Sequence, residues 1–379
     1  MTKKQDYELG DEIRAWSVCI PDNAIIEVTN TLKSKWINTG KKEKEFRNKI
    51  ANRFNSKYVT ATTSGTMALK IALKSIGVGP GDEVVSTPYT FMATNTAILE
   101  EGAKPVFADI DYATLNIAPS SISEKITNKT KAIIGVHYAG NPFDLDEVNN
   151  IAKDHNIPVI EDSCHALGSE YKDKSIGNTN NIACFSFQCV KIVTCGDAGI
   201  LCTNNEEYYI KNQRISWYGM DRDIKKTDIL DPLPHSPIGL GLKGNLNDII
   251  ASLGCAAMDH IDIALEQRKA IGEKYRRNLC NLNKVTLIDY KMDRKPNYQI
   301  FPIHVEQREN FAKFMWNKGI QVNVNNRRND VYDIFGGMCN DLKELKQADE
   351  DVILLPIHSD LRDVHIERII DATIEYDKL

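Results

Sequence analysis

Lys191 is the one charged residue between Lys174 and Asp197, in the run IACFSFQCVKIVTCGDAGI (182–200), which is otherwise almost entirely apolar or small. An amine in apolar surroundings gives up its proton readily and can join a carbonyl as an imine. A lysine can also snorkel to solvent, but the uncharged chain on both sides of Lys191 favours chemistry. Earlier, VIEDSCHALG (159–168) carries Glu161 and Asp162 to the end of a short apolar strand. In open α/β sheets that edge is where ligands bind. Asp162 or Ser163 could instead start the next helix. A third stretch, TTSGTMAL (62–69), ends a strand and opens a helix at Ser64, Gly65 and Thr66. Free N–H groups at a helix start make a phosphate site, and glycine permits close approach. An ordinary Ser or Thr cap has the same pattern. The three together describe a site for pyridoxal phosphate (PLP). The lysine takes the aldehyde as an imine, the aspartate keeps the pyridine nitrogen protonated, and the helix start holds the phosphate.

Such groups need a frame that brings strand ends together. Residues 41–54 read as an amphipathic helix with Phe46, Ile50 and Phe54 on one stripe, behind an arm of about 35 residues with one short helix. Short apolar strands at 58–62, 83–86, 105–108, 131–136 and 158–161 then alternate with helices at 67–76, 91–99 and 145–155. That alternation predicts a parallel α/β sheet. Residues 228–239 are proline-rich and read as a loop. One long helix is expected over 249–276. Beyond it, strands near 299–304 and 352–356 and helices near 309–318 and 362–376 form an α+β unit. The expected division is 1–250, an arm with the large PLP-binding domain, and 251–379, a smaller C-terminal domain, in keeping with a chain of 379 residues.

Composition narrows the function. The net charge is −5, without the basic footprint of a nucleic-acid protein. No run approaches the roughly 18 apolar residues of a membrane span. The start MTKKQDYELG lacks the apolar core of a signal peptide, and nine cysteines is an odd number, so reduced thiols in the cytoplasm are expected. Cys184, Cys189, Cys195 and Cys202 cluster in sequence, which raises a metal site. No C-x-x-C occurs, so no metal is expected.

At these residues the chain resembles the DegT/DnrJ/EryC1/StrS family of sugar aminotransferases, which are PLP enzymes of fold type I. The strings KSKWINTG, TTSGTMAL, TPYTFMATNTAI, GAKPVFADID, EDSCHALG, FSFQCVK and GLKGNLNDI stand in the family's order. The resemblance implies a large domain with a mostly parallel sheet between helices, and a smaller α+β domain. It makes Lys191 the cofactor-bearing lysine and proton carrier, Asp162 the partner of the pyridine nitrogen, and His165 the residue beside the phenolic oxygen. Phe91 would stack on the ring. Ser64, Gly65, Thr66 and Ser186 would hold the phosphate. Lys243 would reach the phosphate of a neighbouring subunit, which implies a homodimer with shared sites. Trp36 and Asn38 would line the substrate mouth. Independently of the resemblance, the string NRRND (326–330) could present Arg327 and Arg328 to a diphosphate. Each also has a plainer use, as core aromatic, satisfied histidine or solvated charge.

The resemblance implies transfer of an amino group from L-glutamate to C3 or C4 of a nucleotide-linked keto-deoxysugar, for amino-sugar and surface-polysaccharide biosynthesis. Gln188-Cys189 replaces the usual His-Pro, and Cys195–Gly199 replaces Thr-Gly-Glu-Gly-Gly, so sugar specificity stays open. A non-nucleotide ketone is the alternative acceptor. A non-catalytic regulator on the same fold has no use for Lys191, Asp162 and the Ser64–Thr66 turn together.

Overall fold

The computed structural model describes residues 12–221 and 237–379. An N-terminal arm leads through α1 (Asn23–Lys33) to α2 (Lys41–Phe54). Phe46, Ile50 and Phe54 of α2 form the buried stripe that the 3.6-residue spacing predicts. Strands and helices then alternate as β1 (Tyr58–Thr62), α3 (Gly65–Ser75), β2 (Glu83–Ser86), α4 (Ala93–Glu100), β3 (Lys104–Phe107), α5 (Pro119–Lys125), β4 (Thr130–Val136), α6 (Leu145–Asp154) and β5 (Val159–Asp162). A small ribbon, β6 (Glu170–Tyr171) and β7 (Lys174–Ser175), precedes β8 (Ile182–Ser186), β9 (Gly199–Thr203) and α7 (Glu206–Ser216).

Seven of these strands form one sheet in the order β1-β9-β8-β5-β4-β2-β3. β3, β2, β4, β5 and β8 are parallel; β9 runs against both β8 and β1. Helices cover the sheet, so its strands are buried on both faces and read as continuous apolar runs rather than alternating ones. The topology brings the carboxyl ends of β1, β5 and β8 to one edge, where β9 begins.

The chain continues through α8 (Asp248–Met258) and α9 (Ile261–Leu279). The single helix expected over 249–276 is therefore broken at Asp259 and His260, both exposed. α8 is buried nearly all round against α1, α2 and the large core. α9 starts in that core at Ile261 and ends in a second one at Ile271, Tyr275 and Leu279. The break lets the chain change direction without exposing either apolar face. The second core is built on β10 (Val285–Leu287), β12 (Phe301–Val305) and β13 (Val352–Leu355), an antiparallel sheet. β11 (Arg294–Lys295) joins the β6–β7 ribbon. α10 (Arg308–Asn317), α11 (Lys343–Asp351) and α12 (Asp363–Asp377) complete the chain.

Most of the proline-rich loop expected over 228–239 lies outside the described residues. Cys184, Cys195 and Cys202 are buried and all nine cysteines are free thiols. Among the described residues no three His, Cys, Asp or Glu side chains gather as metal ligands, and no helix is long and apolar enough to cross a membrane.

Candidate active site

A cavity of about 500 Å³ opens at the edge where β1, β5 and β8 end. β1 leads into Ser64, whose Oγ accepts the Met67 N–H at 3.1 Å and caps α3. The N–H groups of the first helical turn have no partner within the helix, and those of Gly65 and Thr66 belong to residues that line the cavity. A Cβ on Gly65 would stand 2.9 Å from Cβ of Ser186 and 3.0 Å from Sγ of Cys164. Glycine is thus needed for the close approach of three strand ends.

β5 delivers Asp162, 5% exposed. Its Oδ2 accepts from Thr94 Oγ1 at 2.6 Å and its Oδ1 from the Cys164 N–H at 3.2 Å. Thr94 is in turn 2.9 Å from the Thr90 hydroxyl. Each carboxylate oxygen keeps a lone pair for a further donor. His165 follows on the same turn. Its Nδ1 is buried and has no hydrogen-bond partner. Burial, then the nearby Lys191 charge, push the imidazole well below its ordinary pKa, so the ring is neutral.

β8 ends at Ser186, and a tight turn carries Lys191. The Ser186 hydroxyl accepts the Gln188 N–H at 3.3 Å, the Gln188 side chain accepts the Val190 N–H at 3.1 Å, and its carbonyl accepts the Lys191 N–H at 2.9 Å. Burial lowers the Lys191 pKa, against the opposing pull of Cys164 and Asp162; the charge of Arg268 lowers it further. Phe91 stands at the mouth, 61% exposed.

Ser64, Gly65, Thr66 and Phe91 therefore share one cavity with Asp162, His165, Ser186 and Lys191. The other four predicted residues do not line it. Lys243 Nζ lies 3.9 Å above the Trp217 ring and donates to Asn245 Oδ1 at 2.7 Å. Trp36 is exposed, with its Nε1 donating to the Thr39 carbonyl at 3.3 Å. Asn38 is exposed, and its carbonyl accepts the Asp248 N–H at 3.2 Å. Arg327 is exposed beside Tyr332. Arg328 is turned inward as a bidentate pair with Asp330, at 2.7 and 2.6 Å, so it is not available to a diphosphate.

Sequence reasoning missed Thr94, Gln188, Gln299, Asn325 and Asn326, all of which line the cavity. Thr94 lies in TFMATN, three residues after Phe91, and its hydroxyl could have been suspected. The amides carry no comparable signal.

The residues present fit PLP. The cavity joins a helix start for a phosphate, a buried acceptor carboxylate for a ring nitrogen, an orphaned imidazole nitrogen and an amine inclined to be neutral.

Comparison with known proteins agrees. The model of the DegT/DnrJ/EryC1/StrS aminotransferase family matches residues 18–373. An uncharacterized protein of Methanocaldococcus jannaschii is 34% identical over 93% of this chain and 95% of its own. The spore coat polysaccharide biosynthesis protein SpsC of Bacillus subtilis is 36% identical over 66% of this chain and 65% of its own. Sugar aminotransferase CalS13 of Micromonospora echinospora superposes with a TM-score of 0.91, at 25% identity, over 96% of this chain and 99% of that one. A Streptococcus pneumoniae structure in its PLP form superposes with a TM-score of 0.88, at 26% identity, over 97% and 99%.

Proposed function

The chain belongs to the DegT/DnrJ/EryC1/StrS aminotransferase family, and from that footing we propose that this PLP-dependent sugar aminotransferase moves an amino group from L-glutamate to C3 or C4 of a nucleotide-linked keto-deoxysugar. The observation that carries the reading is the meeting of Lys191, Asp162 and the start of α3 in one cavity.

When bound, PLP supplies an aldehyde that takes up amines and a ring that stores an electron pair. The rest is the protein's work. Lys191 Nζ, biased towards the neutral amine by burial, holds the cofactor between turnovers. Once released, the same amine would take the proton from Cα of glutamate and deliver it to the cofactor carbon that had carried the aldehyde, and would run the transfer in reverse for the sugar. Such proton transfer is typically worth about 10²–10⁴-fold. Asp162 keeps a proton on the ring nitrogen, and Thr94 and the Cys164 N–H fix the carboxylate that does so. His165 would support the phenolic oxygen, and the Gly65 and Thr66 N–H groups with the Ser64 and Ser186 hydroxyls would hold the phosphate. Phe91, at the mouth, would cover the ring.

Lys243 lies outside its own chain's cavity. This suits a homodimer in which it serves the partner's phosphate. Trp36, Asn38 and Arg327 are assigned to the sugar side. The division proposed near residue 250 separates the cofactor unit from the smaller one, with α8 beyond it still packed on the first core, and the enzyme is assigned to the cytoplasm and to surface-polysaccharide precursors. A non-nucleotide ketone is the second reading, because Arg328 is held by Asp330 and only Arg327 of that pair is left for a diphosphate.

The test is Lys191→Ala. The wild-type protein with PLP should be yellow, absorbing at about 400–430 nm, and should form 2-oxoglutarate from glutamate when given an acceptor. The variant should do neither. Wild-type turnover by Lys191→Ala would end the assignment.

A further inference from the structure

Lys191 and His165 both stand on turns just past strand ends, where no sheet ladder holds the backbone. A pair of amide side chains from the segment before β12 takes that place. Gln299, 6% exposed, uses both ends of its amide. Its Oε1 accepts the Ile192 N–H at 3.3 Å and its Nε2 donates to the Val190 carbonyl at 3.1 Å. These are the two neighbours of Lys191, so the side chain grips the lysine's backbone as an added strand would. Asn297, 4% exposed, does the same for the other turn. Its Nδ2 donates to the carbonyls of His165 at 2.8 Å and Leu167 at 2.9 Å. Its Oδ1 accepts the Gln299 N–H at 2.9 Å, which ties the two grips together.

The surroundings are shaped for this segment. Tyr298, between the two amides, has φ 54, an uncommon conformation for a bulky residue and one that only firm packing maintains. Its ring lies against Gly272, where a Cβ would stand 2.4 Å away. Gly140, at φ +80, leaves the space that Asn297 occupies; a Cβ there would stand 1.8 Å from Asn297 Oδ1. Arg268 anchors the segment from behind. Its Nη1 donates to the carbonyls of Tyr298 at 3.2 Å, Gln299 at 2.9 Å and Ile357 at 3.1 Å. Burial pushes this guanidinium down to about 10. A carboxamide suits the grip because it offers a donor and an acceptor without adding charge beside Lys191.

We propose that Asn297 and Gln299, anchored by Arg268, are positioning residues that hold the Lys191 and His165 turns against the cofactor cavity. The proposal rests on Lys191 being the cofactor-bearing amine. The test uses Gln299→Met, which keeps the side-chain length and removes both bonds, with Gly140→Ala as a second variant that displaces Asn297 from outside the cavity. Each is mixed with PLP and capture by Lys191 is followed at about 400–430 nm. Each is also titrated with pyridoxamine phosphate, which fills the same cavity but has no aldehyde for Lys191 to capture. In Gln299→Met capture should slow by about tenfold to a hundredfold, while pyridoxamine phosphate affinity stays within about twofold. If Gln299→Met does not fold, Gln299→Ala must show the same split; Gly140→Ala, whose Cβ would also stand 2.8 Å from the His165 carbonyl oxygen, should weaken both capture and pyridoxamine phosphate binding. Capture at the wild-type rate or equal loss of both readouts in the Gln299 variant, or wild-type behaviour of both readouts in Gly140→Ala, overturns the proposal. Lys191→Ala run alongside separates the two ideas. If it still gains the absorbance, the lysine assignment fails; if it loses it while Gln299→Met captures PLP normally, only the positioning role fails.

Discussion

Gly199 is the residue at which a single methyl group should do most damage to the phosphate end of the site. It opens β9 directly against the start of α3. An added Cβ would stand 2.1 Å from the Ser64 carbonyl oxygen, 2.4 Å from its carbon and 2.6 Å from Thr62 Oγ1, where ordinary contact begins at 3.4 Å. Two of these atoms are backbone, so no side chain can swing away, and Ser64 must retreat by about 1 Å. That carbonyl accepts the Ala68 N–H at 3.0 Å and the Thr62 hydroxyl at 3.0 Å, so the first turn of α3 moves with it. Overpacking costs about 1–3 kcal/mol, and loss of the Ser64 cap adds about 1 kcal/mol. A Gly199→Ala protein should therefore fold with about 2–4 kcal/mol less stability in denaturant unfolding. The Gly65 and Thr66 N–H groups shift by a similar distance, so PLP affinity should fall by up to about a hundredfold in a fluorescence titration. Gly196→Ala is the control. It has φ +81 and nothing within 4 Å of an added Cβ. It should cost about 1–2 kcal/mol of left-handed strain and leave PLP binding alone. Wild-type stability and PLP affinity in Gly199→Ala would refute the reasoning.

Thr94→Val removes a charge-assisted bond to Asp162 and leaves the Thr90 hydroxyl without it. Unfolding free energy should drop by about 1.5–3 kcal/mol, and a neutral substitution would contradict the geometry. His358 Nε2 donates to the Arg14 carbonyl at 3.0 Å, and burial, helped by the charges of Arg268 and His365, lowers its pKa despite Asp360. The unfolded chain then binds a proton below about pH 6.5 that the folded chain refuses, so stability should be lost as pH falls through that region. His358→Leu should flatten that acid limb of a melting-temperature profile; an unchanged limb would count against the assignment. If Lys243 serves the partner's site, mixing refolded Lys191→Ala and Lys243→Ala chains should restore about a quarter of wild-type activity, because half the dimers are mixed and each has one intact site. No recovery would place Lys243 elsewhere.

Much of the site was legible because its residue types are chemically specific. A lone lysine in apolar chain, an acid at a strand end and a Ser-Gly-Thr helix start each stand out, and the α/β alternation puts them on one edge. The break at Asp259 and His260 was not legible, since the apolar period continues on both sides of two exposed residues. The adjacent arginines at 327 and 328 read alike, yet a short turn over Asn329–Val331 brings Asp330 onto Arg328 alone. Asn297 and Gln299 carry no periodic or charge signal; only the packing of the second core against the first reveals what their amides hold.

The central claim is tested most directly by the reaction itself. Purified protein with PLP and L-glutamate should be given a panel of nucleotide-linked 3- and 4-keto-deoxysugars beside free ketoses and ketocyclitols, and products weighed by mass spectrometry. The account predicts an aminated nucleotide sugar formed in step with one 2-oxoglutarate. Amination of the free ketones alone, or of no acceptor in the panel, would contradict it.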